Sequence, residues 1–482
     1  MAILTGLEPA SVFQYFEEIC SIPHGSGNTK QISDYCVRFA QEHALRCIQD
    51  ASNNIIIFKD GTPGYEQSAP VMIQGHLDMV CEKTADCTID FETDGLSLRV
   101  DDGLISAEGT TLGGDDGIAV AYALAILAAD DIPHPPLEVV FTVDEEIGML
   151  GAAALDCAPL RARTMLNLDS EDEGYLLVSC AGGVCATCHV PIVRKSMEGI
   201  YVTLAVSDLA GGHSGVEIDK GRANANQLLG RALNELYKTV SYSLISVSGG
   251  LKDNAIPREA VAELIASPEA TAAILSFAAK YQKIFAAEYH ATEPSLSLTA
   301  IIGESGTFSV MDNSSQTRTI AALVNLPSGI QRMSADIPGL VQTSLNLGIL
   351  ATTDDDVSMS FSVRSSVGTE KEALVSQLSN LMDVLGGSVV CAGDYPAWEF
   401  NPDSKLRDLM IEIFEEQYGR KPVVQALHAG VECGLFAGKL PGLDCVSFGP
   451  DMTDIHTTSE RMDVASVQRT WRFTLEILKR LK

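Results

Sequence analysis

Three short apolar segments constrain the fold of this chain more than any other feature. They cover residues 71–74, 137–143 and 164–168, and each is followed within two residues by an acidic or histidine side chain. Runs of this length and composition are typical of strands buried in a sheet. Parallel sheets in α/β proteins place functional groups just beyond the carboxyl ends of their strands. The sequence therefore predicts an α/β fold in which the three strand ends share one site.

The side chains that follow the three segments are carboxylates and one imidazole. The residues are His76, Asp78, Glu145, Glu146 and Asp169. Carboxylates that meet without Lys or Arg beside them are costly to bury unless a cation balances their charge. His76 and Asp78 are two positions apart, which is typical of a metal ligand and its supporting carboxylate. Each piece alone also fits a structural histidine or a solvated acidic loop, but together they predict a metal site.

A glycine-rich turn, G-G-D-D-G at 113–117, precedes a near-apolar run at 117–129 that predicts a buried helix. Glycine allows the backbone to approach its neighbours closely, so this turn can aim the carboxylate of Asp115 into the predicted site. Aspartates at a helix start also suit capping and the helix dipole, and the local sequence leaves both interpretations open. No G-K-[ST] follows, which excludes a Walker-type phosphate loop.

Length, charge and cysteine content argue against several classes of protein. The chain has 482 residues, which is too long for one ordinary core, so two domains are expected. Its formal net charge of −31 would repel nucleic acid and anionic membrane surfaces, so neither is expected as a partner. The N-terminus lacks the regions of a signal peptide, and the run at 117–129 is too short to cross a bilayer. A cytoplasmic location is expected, where the 12 cysteines stay reduced. The pattern C-x-x-C-H at 185–189 matches the spacing of c-type haem attachment. That attachment requires export, which a cytoplasmic location excludes.

The sequence pattern changes in the middle of the chain and then returns. Two alternating strands, each followed by a loop and a helix, suggest an inserted α+β domain. The α/β pattern resumes near the C-terminus, where His456 lies in a polar loop just past a strand and is the best candidate for a last ligand. We therefore predict one domain in two parts, residues 1–185 and 393–482, with an inserted α+β domain at 186–392.

In order and spacing, the motifs resemble those of the two-zinc aminoacylase/carboxypeptidase family of metallopeptidases. The motifs are G-H-L-D, G-G-D-D-G, D-E-E-I-G, N-L-D, G-G-H-S-G and D-I-H-T-x-x-E. Others, S-I-P-H-G-S-G, D-N-A-I-P-R-E, F-S-V-R-S and H-A-G-V-E-C-G, are similar to its aminoacyl-histidine dipeptidase (Xaa-His dipeptidase) branch. The resemblance covers essentially the whole chain. It implies an α/β catalytic domain with a mixed, mainly parallel sheet flanked by helices, and an inserted α+β lid.

The resemblance also implies two Zn²⁺ ions per subunit, which Co²⁺ or Mn²⁺ could replace. His76 and Asp169 would hold one ion, Glu146 and His456 would hold the other, and Asp115 would bridge both. A set of imidazole and carboxylate ligands suits these metals. The same resemblance implies a cis peptide bond after Asp115.

Further roles in catalysis and substrate binding follow from the resemblance. Asp78 would orient His76, and Glu145 would be the general acid/base. His213 would polarise the substrate carbonyl, and Asn254 and Arg364 would bind the substrate carboxylate. The residues expected to contact substrate are His213, Asn254, Arg364 and Gly430.

The predicted reaction is hydrolysis of unblocked dipeptides by metal-activated water, with Xaa-His and β-Ala-His among the substrates. An N-acyl amino acid deacylase or a tripeptidase on the same fold would share every metal ligand. A non-catalytic peptide-binding homologue should have lost a ligand or the acid/base, and this chain keeps them all. The expected partner is a small peptide, and the resemblance leaves open a homodimer that forms through the lid domain.

Overall fold

The computed structural model describes residues 3–482. The first part of the chain forms α1 (Ala10–Cys20), α2 (Lys30–Glu42), β1 (Arg46–Gln49), β2 (Ile55–Lys59), β3 (Val71–His76), β4 (Leu98–Asp101), β5 (Leu104–Ala107), α3 (Gly114–Ala128), β6 (Leu137–Thr142), α4 (Leu150–Ala154), β7 (Thr164–Asn167) and β8 (Tyr175–Cys180). The middle part forms β9 (Gly182–Pro191), β10 (Arg194–Ser207), β11 (Gly212–His213), α5 (Ala225–Tyr237), β12 (Tyr242–Gly249), β13 (Ala255–Ile256), β14 (Ala260–Ala266), α6 (Pro268–Glu288), β15 (Ser297–Met311), α7 (Asn313–Asn325), β16 (Gly329–Met333), β17 (Val341–Thr352), β18 (Asp356–Ser365), α8 (Gly368–Leu385) and β19 (Ser388–Tyr395). The last part forms α9 (Lys405–Tyr418), β20 (Val423–Leu427), α10 (Glu432–Lys439), β21 (Asp444–Ser447), β22 (Met452–Thr453), β23 (Arg461–Asp463) and α11 (Val464–Arg480).

The chain divides into two compact units. The first contains the chain up to Ser179, Phe400–Ala426 and Val431–Lys482, and the second contains Cys180–Glu399 and Leu427–Gly430. The sequence predicts domain boundaries after residues 185 and 392, whereas the compact units divide after Ser179 and Glu399.

The first unit is built on an eight-stranded sheet with the order β1-β2-β6-β3-β7-β21-β8-β20. The four central strands, β6, β3, β7 and β21, run parallel, whereas β1, β2 and β8 pair antiparallel. Every residue of β3 and β6 is buried, as expected for parallel strands that are covered on both faces. The predicted mixed α/β fold is therefore confirmed, with the parallel pairing concentrated at the centre of the sheet.

Helix α3 is buried on all sides, which explains its nearly uninterrupted apolar sequence. Every residue from Gly114 to Leu127 is buried. A helix that is apolar all round belongs in a core. Gly117 allows α1 to approach closely, because a Cβ at this position would lie 3.2 Å from the ring of Phe16. The carboxylate of Asp116 accepts a hydrogen bond from the N–H of His76 at 3.1 Å, which places the first turn of α3 beside the end of β3.

The second unit is an antiparallel sheet with helices on one face, as the predicted α+β lid requires. The sheet has nine strands in the order β15-β10-β14-β12-β17-β18-β9-β19, with β16 paired to β17. Apolar side chains of the sheet, such as Leu345, Phe361 and Val363, join helix residues in one core. Their neighbours along the strands point to the opposite face, because side chains alternate along a strand. That opposite face carries polar residues, which include Ser344 and Arg364.

Candidate active site

In the first unit, the carboxylate of Asp115 lies between two imidazole rings. Its Oδ1 is 3.0 Å from Nε2 of His76, and its Oδ2 is 3.1 Å from Nε2 of His456. The side chain of His76 is buried, whereas that of His456 is 43% exposed. Two-metal hydrolytic sites hold their ions about 3.5–4 Å apart. A carboxylate that turns one oxygen toward each of two imidazoles is placed to bridge such a pair.

Two further carboxylates complete the cluster, one beside each imidazole. Oδ1 of Asp169 is 3.9 Å from Nε2 of His76, and Oε1 of Glu146 is 2.8 Å from Nε2 of His456. Within residues 3–482, histidines are the only ion-pair partners of Asp115, Asp169 and Glu146. The negative charge of this cluster is therefore not balanced by Lys or Arg.

Strand ends and the first turn of α3 present these groups. Strand β3 ends at His76, and β7 ends at Asn167, two residues before Asp169. In α3, Asp115 has a non-helical φ of −81° and ψ of 106°. The peptide bond between Asp115 and Asp116 is cis, as predicted. The carboxyl ends of parallel strands thus meet at one edge of the sheet.

The carboxylate of Asp78 holds the turn that carries the two neighbouring glutamates. It accepts hydrogen bonds from the backbone N–H of Glu145 at 3.0 Å and of Glu146 at 3.3 Å. The hydroxyl of Ser26 donates to it at 2.8 Å. Nδ1 of His76 lies 2.9 Å from the main-chain oxygen of Asp78 and 3.5 Å from its carboxylate. The residue therefore contacts His76 mainly through its backbone and the glutamate turn through its side chain.

Burial and crowded charge shift the pKa values of the cluster. Burial raises the pKa of Glu145 to about 9, and the charge of His76 opposes that rise. Burial also raises the pKa of Asp169 to about 7. Hydrogen bonds with Asp115 and Glu146 raise the pKa of His456 to about 10. Such displaced pKa values are typical of functional sites, and here they report negative charge that a cation could balance.

A buried glutamate beneath the strand ends was not predicted. Glu432, the first residue of α10, accepts hydrogen bonds from Nε2 of Gln74 at 2.5 Å and from the hydroxyl of Thr142 at 2.6 Å. Gln74 in turn accepts a hydrogen bond from Nδ2 of Asn167 at 2.6 Å. This network joins β3, β6 and β7 near their carboxyl ends, just before the side chains of the candidate site. The motif H-A-G-V-E-C-G contains Glu432, but only the fold reveals its partners.

A second glutamate that sequence reasoning missed shapes the glycine-rich turn. Glu460 is 3% exposed, and its carboxylate accepts the backbone N–H groups of Leu112 at 2.7 Å and Gly114 at 2.8 Å. It also accepts the N–H of Gly113 at 3.3 Å. These bonds fix the backbone immediately before Asp115. The signal in the sequence was the acid at the end of D-I-H-T-x-x-E.

The other predicted substrate residues lie in the second unit. Strand β11, which contains His213, pairs with β13, and the N–H of Ser214 donates to the main-chain oxygen of Asn254 at 2.9 Å. Burial lowers the pKa of His213, and the charge of Arg364 lowers it further. Gly430 lies in the segment Leu427–Gly430 of the same unit. The structure thus brings His213, Asn254 and Arg364 into one unit, and the five predicted metal ligands into the other.

The donor set fits divalent metal ions. Two ligand atoms that bind the same zinc ion, each about 2.0–2.2 Å from it, lie no more than about 4.4 Å apart. The distances of 2.8–3.9 Å between the imidazole nitrogens and carboxylate oxygens satisfy this limit. Among residues 3–482, three groups of side chains each bring their ligand atoms within 4.8 Å of one another. They are His76, Asp116 and Asp169; His76, Glu145 and Glu146; and Asp115, Glu146 and His456. The last group contains three of the five predicted ligands.

Comparison with known proteins assigns the family. The model of peptidase family M20/M25/M40 matches residues 72–480. This chain belongs to that family. It is 37% identical over 483 aligned residues to the cytosol non-specific dipeptidase of Escherichia coli strain K12, a match that covers 100% of this chain and 99% of that protein. The predicted resemblance and the predicted enzyme class, a hydrolase that acts on peptide bonds, are confirmed.

Two solved structures share the fold. The crystal structure of aminoacylhistidine dipeptidase from Vibrio alginolyticus matches with a TM-score of 0.93 and 35% identity, and covers 99% of this chain and 97% of that one. Aminopeptidase PepT from Bacillus cereus ATCC 10987 matches with a TM-score of 0.57 and 16% identity over 98% of this chain and 99% of that one, which shows the fold alone. Among residues 3–482, no helix has the length and apolar character needed to span a bilayer.

Proposed function

We propose that this M20 peptidase is a dinuclear metal-dependent dipeptidase that hydrolyses unblocked dipeptides, with Xaa-His and β-Ala-His among its substrates. Two relatives that match it over nearly their whole length, at 37% and 35% identity, are named as dipeptidases. The observation that carries the proposal is the position of Asp115, with one carboxylate oxygen beside His76 and the other beside His456. Asp169 and Glu146 are the remaining proposed ligands, one for each ion.

Zinc is the proposed metal, with cobalt or manganese as replacements. Nitrogen and oxygen donors without thiolates suit all three ions. When bound, a pair of divalent cations acts as a Lewis acid and lowers the pKa of water. Their positive charge beside Glu145 would also favour the ionised form of its carboxyl. The family and the ligand geometry support this proposal.

Glu145 is the proposed general acid/base. Its neighbour Glu146 points toward His456, while the backbone N–H groups of both are held by Asp78. The carboxylate of Glu145 would remove a proton from the attacking water and deliver it to the amine that leaves as the C–N bond breaks. General acid–base catalysis of this kind contributes roughly 10²–10⁴-fold to the rate. Asp78 supports the step because it fixes the turn.

The second unit is proposed to bind the carboxylate of the substrate. Arg364 is 8% exposed and, within residues 3–482, forms no ion pair with a carboxylate. A guanidinium presents paired N–H donors that match a carboxylate. Asn254 and Gly430 are proposed to contact the same substrate, and His213 to polarise the peptide carbonyl. A cytoplasmic location and a homodimer through the lid stay predictions.

The test is a comparison of Glu145→Ala with the parent protein on metal-stripped samples that are reloaded with zinc, cobalt or manganese. Metal content and the hydrolysis of a dipeptide panel that includes β-Ala-His are measured. We expect Glu145→Ala to keep its metal and to lose turnover by about 10²-fold or more. Hydrolysis by this variant at the parental rate would refute the role. N-acetylated amino acids in the same panel distinguish a deacylase, and tripeptides distinguish a tripeptidase.

A further inference from the structure

Four residues of the second unit form a single row across the sheet. Ser344 on β17 lies opposite Arg364 on β18, and Arg364 lies opposite Gly183 on β9. Gly183 in turn lies opposite Tyr395 on the edge strand β19. Residues that are directly opposite in antiparallel strands project from the same face. Ser344, Arg364 and Tyr395 therefore share the polar face of this sheet, the face away from the helices.

The glycine in this row allows the tyrosine to reach the arginine. A Cβ at Gly183 would lie 2.5 Å from Cζ and 2.7 Å from Cε1 of the Tyr395 ring, so any larger residue would displace that ring. In the space that glycine leaves, the Tyr395 hydroxyl accepts a hydrogen bond from Nη1 of Arg364 at 2.9 Å. The tyrosine thus crosses one strand to contact the guanidinium.

A buried lysine holds the backbone of Tyr395. Nζ of Lys371, which is 7% exposed, donates to the main-chain oxygen of Tyr395 at 2.8 Å and also pairs with Asp394. Burial is the main cause that raises the pKa of the Tyr395 hydroxyl, so this group stays neutral at physiological pH. A neutral, fixed oxygen can orient Arg364 without cancelling its charge.

The remaining edge of the guanidinium lacks a protein partner. Nε of Arg364 is buried and has no hydrogen-bond acceptor within the described chain, and Nη1 forms the single hydrogen bond found for this side chain. A buried donor without a partner is costly, so native structures usually supply one, such as a protein acceptor, an ordered water or a ligand. Nε and Nη2 form the edge of an arginine that grips a carboxylate with two hydrogen bonds.

On the other side of the row, Ser344 contacts a neutral histidine. The hydroxyl of Ser344 lies 2.7 Å from Nε2 of His428. Burial lowers the pKa of His428 to about 4, and the charge of Arg364 contributes to this, so the ring is neutral at physiological pH. The groups that flank Arg364 along the row, Tyr395 on one side and Ser344 with His428 on the other, are therefore neutral.

We propose that Tyr395 is a positioning residue that holds Nη1 of Arg364, so that the Nε and Nη2 edge faces the carboxylate of the dipeptide substrate. This inference rests on the proposed function. It assigns to Tyr395 a role that the motifs do not indicate. It also explains why residue 183 is glycine, because a side chain there would displace the Tyr395 ring.

The test is steady-state kinetics of Tyr395→Phe, which removes the hydroxyl and keeps the ring, on the dipeptide that the parent hydrolyses fastest. We expect the KM to rise about tenfold while kcat stays within about twofold, because substrate and transition state lose the same carboxylate contact. Gly183→Ala should raise the KM in the same way by displacing the ring. Tyr242→Phe is the matched control, since this buried tyrosine of the same unit donates its hydroxyl to the main-chain oxygen of Leu233 at 2.8 Å.

A double variant shows whether Tyr395 acts through Arg364. In an Arg364→Ala background, Tyr395→Phe should change the KM less than about twofold, because the group that it orients is gone. The inference is overturned if Tyr395→Phe leaves the KM of an active parent unchanged, or if its effect persists in the Arg364→Ala background. A parent that hydrolyses no dipeptide overturns the proposed function as well, so the two failures are distinguishable. Thermal denaturation of each variant verifies that it is folded.

Discussion

Asp78→Asn separates two roles that one carboxylate could have. In the structure, the carboxylate accepts hydrogen bonds from the N–H groups of Glu145 and Glu146, at 3.0 and 3.3 Å, and from Ser26 at 2.8 Å. Asparagine retains one acceptor oxygen and replaces the other with an NH₂ group, which would face a donor. The ring of His76 loses less, because its Nδ1 lies 2.9 Å from the main-chain oxygen of Asp78, which the substitution leaves in place.

The expected magnitude follows from the bonds that are lost. A hydrogen bond to a charged group contributes about 1.5–3 kcal/mol, and each 1.4 kcal/mol corresponds to a tenfold change. Loss of one backbone bond to the glutamate turn should therefore lower kcat by about 10- to 100-fold. The metal content should stay at the parental value, because the proposed ligand His76 keeps its main-chain partner.

The assay combines kcat with the metal content of the same samples. Asp144→Asn is the matched control, because Asp144 lies on the same turn and accepts the N–H of Gly27 at 2.7 Å through an oxygen that asparagine keeps. We expect this control to leave kcat within about twofold of the parent. If Asp78→Asn instead loses metal and regains full kcat once metal is saturating, Asp78 acts through His76 and the reasoning is wrong.

Two further predictions concern the packing beneath the site. Burial raises the pKa of Glu432 to about 8, so the metal-free parent should lose stability as pH rises from the ordinary carboxyl range to about 8. Metal-free Glu432→Gln should lose less, because only the contributions of the other raised carboxyls, Glu145 and Asp169, remain. The melting temperatures of the two proteins, measured across that range, should diverge in favour of the variant, and parallel curves would contradict the assignment. Gly75→Ala places a Cβ 2.5 Å from Oδ2 of Asp116 and 2.7 Å from Cβ of Ala119, and should lower the free energy of unfolding by about 1–3 kcal/mol. Urea denaturation measures this loss, and an unchanged midpoint would show that α3 can move away.

The local sequence pattern was sufficient to predict elements whose structure depends on residues close to them along the chain. The segments predicted at 71–74, 137–143 and 164–168 are strands β3, β6 and β7, because apolar runs of that length indicate buried strands. The helix predicted at 117–129 begins earlier, at Gly114, and the residues that precede the prediction have non-helical angles. Periodicity does not describe this turn, since its shape depends on hydrogen bonds that its backbone N–H groups donate to the distant carboxylate of Glu460.

Groups whose role depends on distant partners could not be found from the sequence. Glu432 bonds to Gln74, which lies 358 positions away, and Glu460 bonds to Gly114, which lies 346 positions away. Both glutamates lie in motifs quoted above, but neither motif shows which distant groups its carboxylate binds. Tyr395 is a similar case, because its contact with Arg364 depends on the register of three strands.

The number of divalent ions bound per chain tests the central claim most directly. The measurement is elemental analysis of purified parent protein, His456→Ala and His76→Ala after equilibration with zinc and removal of free metal. The bridging position of Asp115 between the two imidazoles predicts two ions in the parent and the loss of one in each variant. A parent that binds no ion, or a His456→Ala variant that retains two, would contradict the account.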